Sequence, residues 1–71
     1  MKQVFISHQP IELYKILKLE GMARSGGEAK MFISDEQVLV NNEIETRKRK
    51  KINEGDIIQL FDEIIQVSLG K

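Results

Sequence analysis

Arg47-Lys48-Arg49-Lys50-Lys51 sets five cations in a row within a 71-residue chain of zero formal net charge. Without them, six basic residues face eleven acidic ones, a balance of −5, so the zero conceals a separation of charge. The chemistry such a row offers is the binding of anions. On an otherwise acidic protein it points to a specific anionic partner and not to general adhesion. A second, smaller set is Arg24-Ser25-Gly26-Gly27 with Lys30. Ser25 and Glu28 have capping-box spacing, which starts a helix there. Gly26 and Gly27 leave its N–H groups and positive dipole end bare, a place where a phosphate can approach. No Gly-Lys-Ser/Thr follows them, so this is not a nucleotide-hydrolysing loop.

Each set has a plainer reading: a solvated loop for the basic run, an ordinary capped helix for Ser25. Two details favour binding by the run. It is internal, and Ile52-Asn53-Glu54-Gly55-Asp56-Ile57-Ile58 after it has the composition of an ordered turn and strand. In an extended segment Arg47, Arg49 and Lys51 would share one face, with Lys48 and Lys50 on the other.

Little else in the chain can react. His8 is the only histidine and there is no cysteine, so a metal site is not expected. No serine or lysine has an evident general base, and a chain this short has little left for a pocket once its core is made. No enzyme, cofactor or small-molecule substrate is therefore expected. The lack of cysteine fits a reducing cytoplasm. No segment approaches the ~20 apolar residues of a membrane span, and the first residues lack a signal peptide's apolar region. Phe5, Tyr14, Phe32 and Phe61 all fit core-facing positions. With no ring spare for base stacking, an RNA ligand would be structured or duplex, held by backbone and shape.

The elements that must position these cations follow from periodicity. Val4 to Ile6 reads as an edge strand. Pro10 suits the first position of a helix that carries Ile11, Leu13, Tyr14, Ile16, Leu17 and Leu19 on its apolar stripe and ends at Gly21. A second helix starts at Ser25, with Ala29, Phe32 and Ile33 inward and Lys30 away from them. Val38-Leu39-Val40, an Asn41-Asn42 turn and Glu43 to Thr46 follow. Glu54-Gly55-Asp56 is a turn. Ile57 to Phe61 and Ile64 to Leu69 form a hairpin closed by Asp62-Glu63. The expected class is α+β: two N-terminal helices on a small antiparallel sheet, preceded by a short strand, in one domain spanning 1–71.

Leu17 to Gly21, Ser25-Gly26-Gly27-Glu28-Ala29-Lys30, Val38 to Asn41, Glu45 to Lys50 and Glu54 to Ile58 together resemble the S-four (αL) RNA-binding domain. The likeness is nearest to its stand-alone, ribosome-associated bacterial branch and covers roughly Ile11 to Ile58. It implies the αL fold, with RNA along a basic surface made by the second helix and the following β-loop. Ser25, Lys30, Arg47 and Arg49 occupy matching positions, with Arg24, Lys48, Lys50 and Lys51 close by. The family's usual arginine after the capping serine is Gly26 here. Its glycine before the Val38 strand is Glu36, and its Asn-Gly turn is Asn41-Asn42. Asp35 and Glu36 would place negative charge near the RNA face.

The resulting expectation is a non-catalytic cytoplasmic protein that binds structured RNA, with ribosomal RNA or the ribosome as partner. Its sites are Arg24, Ser25, Gly26, Lys30 and Arg47 to Lys51. The competing expectation is a protein-interaction module whose cations meet an acidic protein surface.

Overall fold

Alternation of apolar and polar residues builds a sheet, and two short helices close one side of it. The computed structural model describes residues 1–70; Lys71, the last residue of the expected domain, lies outside them. The chain runs β1 (Lys2–Ile6), β2 (Ile11–Glu12), α1 (Leu13–Leu19), α2 (Gly26–Ser34), β3 (Val38–Val40), β4 (Glu43–Ile44), β5 (Lys51–Ile52), β6 (Ile57–Leu60) and β7 (Glu63–Leu69). Five strands form one sheet in the order β1-β7-β6-β3-β4, and β2 pairs with β5 in a separate two-stranded ladder. The class is α+β, as expected, but the sheet is mixed. β1 lies parallel to β7, whereas the β3–β4, β3–β6 and β6–β7 pairs are antiparallel. A parallel neighbour needs a long crossover connection, and everything between β1 and β7 supplies it.

Period 2 decides the core. Val4 and Ile6 of β1, Val38 and Val40 of β3, Ile58 and Leu60 of β6, and Ile65 and Val67 of β7 turn inward. They meet Leu13, Ile16 and Leu17 of α1 and Ala29 and Ile33 of α2 in one apolar cluster. No polar or charged residue is buried among the described residues. Phe5, between Val4 and Ile6, must face the other way and is 63% exposed. Phe61 is also exposed, because the hairpin turn is Phe61-Asp62 and not Asp62-Glu63; Leu60 pairs directly with Glu63. Of the four aromatics expected in the core, Phe5 and Phe61 are exposed and Tyr14 and Phe32 are only partly buried against it, so the expectation that no ring is spare does not hold.

The first helix starts three residues later than its proline suggests. Pro10 stands before β2, after a cis Gln9–Pro10 bond, and Ile11 and Glu12 pair with Ile52 and Lys51. That tertiary pairing overrides the helix-start signal. Leu19, placed on the apolar stripe by spacing, is 69% exposed, since two residues beyond the buried Leu17 it falls off the face that Leu13, Ile16 and Leu17 share. The helix ends at Gly21 as expected, in the left-handed region (φ 72°). Met22 N–H donates to Leu17 O and Gly21 N–H to Lys18 O, the paired bonds of a Schellman cap. α2 ends in the same way on Glu36, at φ 63°, where the family has glycine.

Candidate nucleic-acid interface

The five cations do not lie along an extended segment. Lys50 N–H donates to Arg47 O at 3.1 Å, so the run folds into a turn over Lys48 and Arg49, and the expected alternation of faces is lost. Its backbone is fixed from three directions. β4 holds the chain before the run through the β3 ladder. After it, Ile52 is fully buried opposite Ile11. Between these, the carbonyl of Lys50 accepts from Leu13 N–H (2.9 Å) and that of Lys48 from Tyr14 N–H (3.1 Å). Leu13 and Tyr14 open α1, whose preceding Glu12 makes no side-chain cap. The basic turn thus caps the first helix with its own carbonyls, satisfying N–H groups that a helix start leaves without partners. A solvated loop does not make those bonds.

The side chains differ in how far they are committed. Glu45 Oε2 accepts from Arg47 Nε (2.9 Å) and from the Arg47 backbone N–H (2.9 Å), and Oε1 accepts from Nη2 (3.1 Å). Those side-chain hydrogen bonds, above all, hold the Glu45 carboxyl below its ordinary range; partial burial opposes them, and the positive charge of Lys50 adds a smaller push in the same direction as Arg47. Glu45 in turn raises the already high Arg47 value further. A guanidinium has five N–H donors in a planar fork. Two are taken by Glu45, which leaves the edge of Nη1 and Nη2 to face solvent in a fixed orientation. Arg49 has a looser tie, Nε to Glu12 Oε2 at 3.8 Å, and Glu12 also meets Lys15 at 3.2 Å. Lys48, Lys50 and Lys51 form no ion pair among the described residues.

The second set of site residues lies at the start of α2. Ser25 Oγ accepts from Glu28 N–H (3.1 Å), as the capping box requires, but Glu28 Oε1 reaches back to Arg24 N–H (2.8 Å) and not to that of Ser25. The helix start is therefore less bare than the glycines suggest, because a carboxylate already sits beside it. Lys30 is half-buried, with its Nζ over the Tyr14 ring at 4.7 Å from its centre. Asp35 and Glu36 sit at the far end of α2, roughly 13 Å along a nine-residue helix from Gly26. Their negative charge therefore lies a helix length away from Ser25 and Gly26.

Tyr14 joins the two sets. Its N–H is bonded to Lys48 of the turn, its ring carries Lys30 of α2, and a Cβ built on Gly26 would stand 3.8 Å from its Cδ2. Sequence reasoning placed Tyr14 in the core and passed over Glu45. The i, i+2 spacing of Glu45 and Arg47 was a usable signal for that ion pair. Nothing local announced the Tyr14 bridge, which depends on a contact between residues 14 and 48.

Among the described residues no three His, Cys, Asp or Glu side chains are placed to hold a metal ion. No described helix is long and apolar enough to cross a membrane.

Comparison with known proteins places this geometry in a group. Residues 4–68 match the family model described as the S4 domain. Over 60 residues the chain is 43% identical to the putative RNA-binding protein YbcJ of Escherichia coli K12, covering 84% of this chain and 86% of YbcJ. It is 39% identical over 57 residues to the probable ribosome maturation protein RlbA of Bacillus subtilis 168, covering 80% of each. The solution structure of E. coli YbcJ, described as revealing an αL motif involved in RNA binding, superposes with a TM-score of 0.68 over 94% of this chain and 84% of that one, at 39% identity.

Proposed function

The chain belongs to the S4 domain family, and from that premise we propose that it is a non-catalytic cytoplasmic protein that binds structured RNA, with ribosomal RNA as its target. The observation that carries the reading is the pinned basic turn. Five cations are displayed on a backbone whose carbonyls are bonded to α1, so binding does not first have to order the loop. Arg47 presents its free fork edge to a phosphate, with Arg49 beside it; Lys48, Lys50 and Lys51 add charge without giving up an ion pair. Arg24, Lys30 and the N–H groups at Ser25 and Gly26 meet a neighbouring phosphate. The names of YbcJ and RlbA support RNA and the ribosome respectively as partners.

The test is direct. Protein purified without nuclease carries material absorbing at 260 nm, and the double substitution Arg47→Glu, Arg49→Glu loses it. Sequencing the RNA crosslinked in cells then returns ribosomal RNA enriched over its abundance. A partner that survives nuclease and co-purifies without RNA would support an acidic protein surface instead.

A further inference from the structure

A groove runs beside the basic turn, lined by Tyr14, Lys15, Lys18, Leu19 and Gly26. Its floor is apolar: the half-buried Tyr14 ring and the side chain of Leu19, which is exposed and serves no part of the core. Its cover is cationic. Lys30 Nζ lies over the Tyr14 ring at 4.7 Å from its centre and Lys15 Nζ over it at 5.9 Å, both on flexible stems that can swing aside, and Lys18 lines the same groove. Gly26 keeps it open. A methyl group there would already be in van der Waals contact with Tyr14 Cδ2 and Cε2, at 3.8 and 3.9 Å, so a longer side chain would lie against the ring.

We propose that the Tyr14 groove is a subsite for one unpaired nucleobase, stacked on the tyrosine, with its phosphate on the surrounding lysines. The chemistry matches in both parts. A nucleotide is a flat apolar ring joined to an anion, and the groove pairs an aromatic ring with mobile ammonium groups that a base would displace toward its phosphate. A wholly apolar ligand has no use for the lysines, and an acidic peptide has none for the ring. Glu12, the nearby carboxylate, is drawn to Lys15 at 3.2 Å. The position fits as well, because the Tyr14 N–H bond to Lys48 O ties the residue that carries the ring to the backbone of the basic turn. A perfect RNA duplex cannot fill it, since its bases are stacked within the helix. The preferred ligand is therefore a duplex interrupted by an unpaired base, which narrows the RNA reading on which this inference rests.

The experiment compares two fluorescently labelled RNA probes at low salt: a short perfect duplex, and the same duplex with a single bulged adenosine. The wild-type protein binds the bulged probe about 5- to 100-fold more tightly, the range that base–aromatic stacking contributes. Tyr14→Leu, which keeps an apolar side chain at this half-buried position, brings that ratio close to one, whereas Tyr14→Phe keeps it. Gly26→Leu, at an open helix start, also lowers the ratio by covering the ring, and it guards against a folding defect in the tyrosine variant. 2-Aminopurine in place of the bulged adenosine is quenched by the wild-type protein and not by Tyr14→Leu. Equal wild-type affinity for the two probes overturns the subsite. So does a Tyr14→Leu variant that weakens both probes alike, since Tyr14 would then only position the turn. Failure of the wild-type protein to bind either probe overturns the RNA reading itself.

Discussion

The two walls of the cationic site are held by opposite means. In the basic turn the backbone is fixed and the charges are largely on offer: carbonyls of Lys48 and Lys50 are bonded to α1, while Lys48, Lys50 and Lys51 form no ion pair among the described residues. At the start of α2 the side chains do the fixing, with Ser25 and Glu28 spent on the helix cap and Lys30 resting on Tyr14. The difference separates two consequences of substitution. A side chain removed from the turn should change affinity and leave folding nearly untouched. One removed from the α2 cap should change folding first.

The largest effect is expected from the turn. Lys48→Glu with Lys50→Glu should weaken binding to duplex RNA by about 100-fold at low salt, on the order of 1.5 kcal/mol for each charge-assisted hydrogen bond removed. Its urea-unfolding stability should stay within about 0.5 kcal/mol of wild type, as for surface positions generally. An equal loss of stability would mean that the turn is held by its side chains after all. Ser25→Ala is the converse test. It removes the acceptor for Glu28 N–H and should cost about 1 kcal/mol of stability in urea unfolding, with a smaller effect on RNA affinity than the turn variant.

How much of this was legible in the residues depends on whether the controlling interaction was local. Ser25 and Glu28, the Asn41-Asn42 turn, Gly21 and the β6–β7 hairpin were readable because each is decided within a few positions. The Asn41 and Asn42 φ values of 53° and 69° are those that a two-residue hairpin turn asks for. Pro10 misled because a ladder to Lys51 and Ile52, some forty residues away, claimed the positions where a helix would have begun. The same long-range bonds turned the cationic run from an extended strip into a turn. Its charge was plain from composition; its shape came from the bonds to α1. Family resemblance, and not periodicity, linked the turn to α2, and it could not show that Tyr14 stands between them.

The end of α2 remote from the site provides a control for the comparison. Glu36 sits at φ 63°, a conformation that strains a residue with a Cβ, so Glu36→Gly should stabilise the protein by about 0.5–1 kcal/mol. Thermal or urea unfolding would register that gain, and RNA affinity should not change. A drop in affinity would bring this end of the helix into the interface. The smallest effect concerns Glu45. Its folded-state pKa is lowered, so the stability it contributes is fully present above its ordinary value of 4.5 and is lost as pH falls through the lowered value. Glu45→Gln should remove that part of the acid dependence. Urea midpoints measured from neutral pH downward would differ between the two proteins above 4.5 and converge as pH falls through the lowered value.

The measurement closest to the central claim is the salt dependence of wild-type binding to duplex RNA. If the basic turn and its α2 neighbour neutralise about five phosphates, log K falls against log salt with a slope of roughly −3.5 to −4.5. The Lys48→Glu, Lys50→Glu protein should show a visibly shallower line. An affinity that does not change with salt, or a slope that the double substitution leaves unaltered, would contradict the assignment of the pinned cationic turn as the surface that holds RNA.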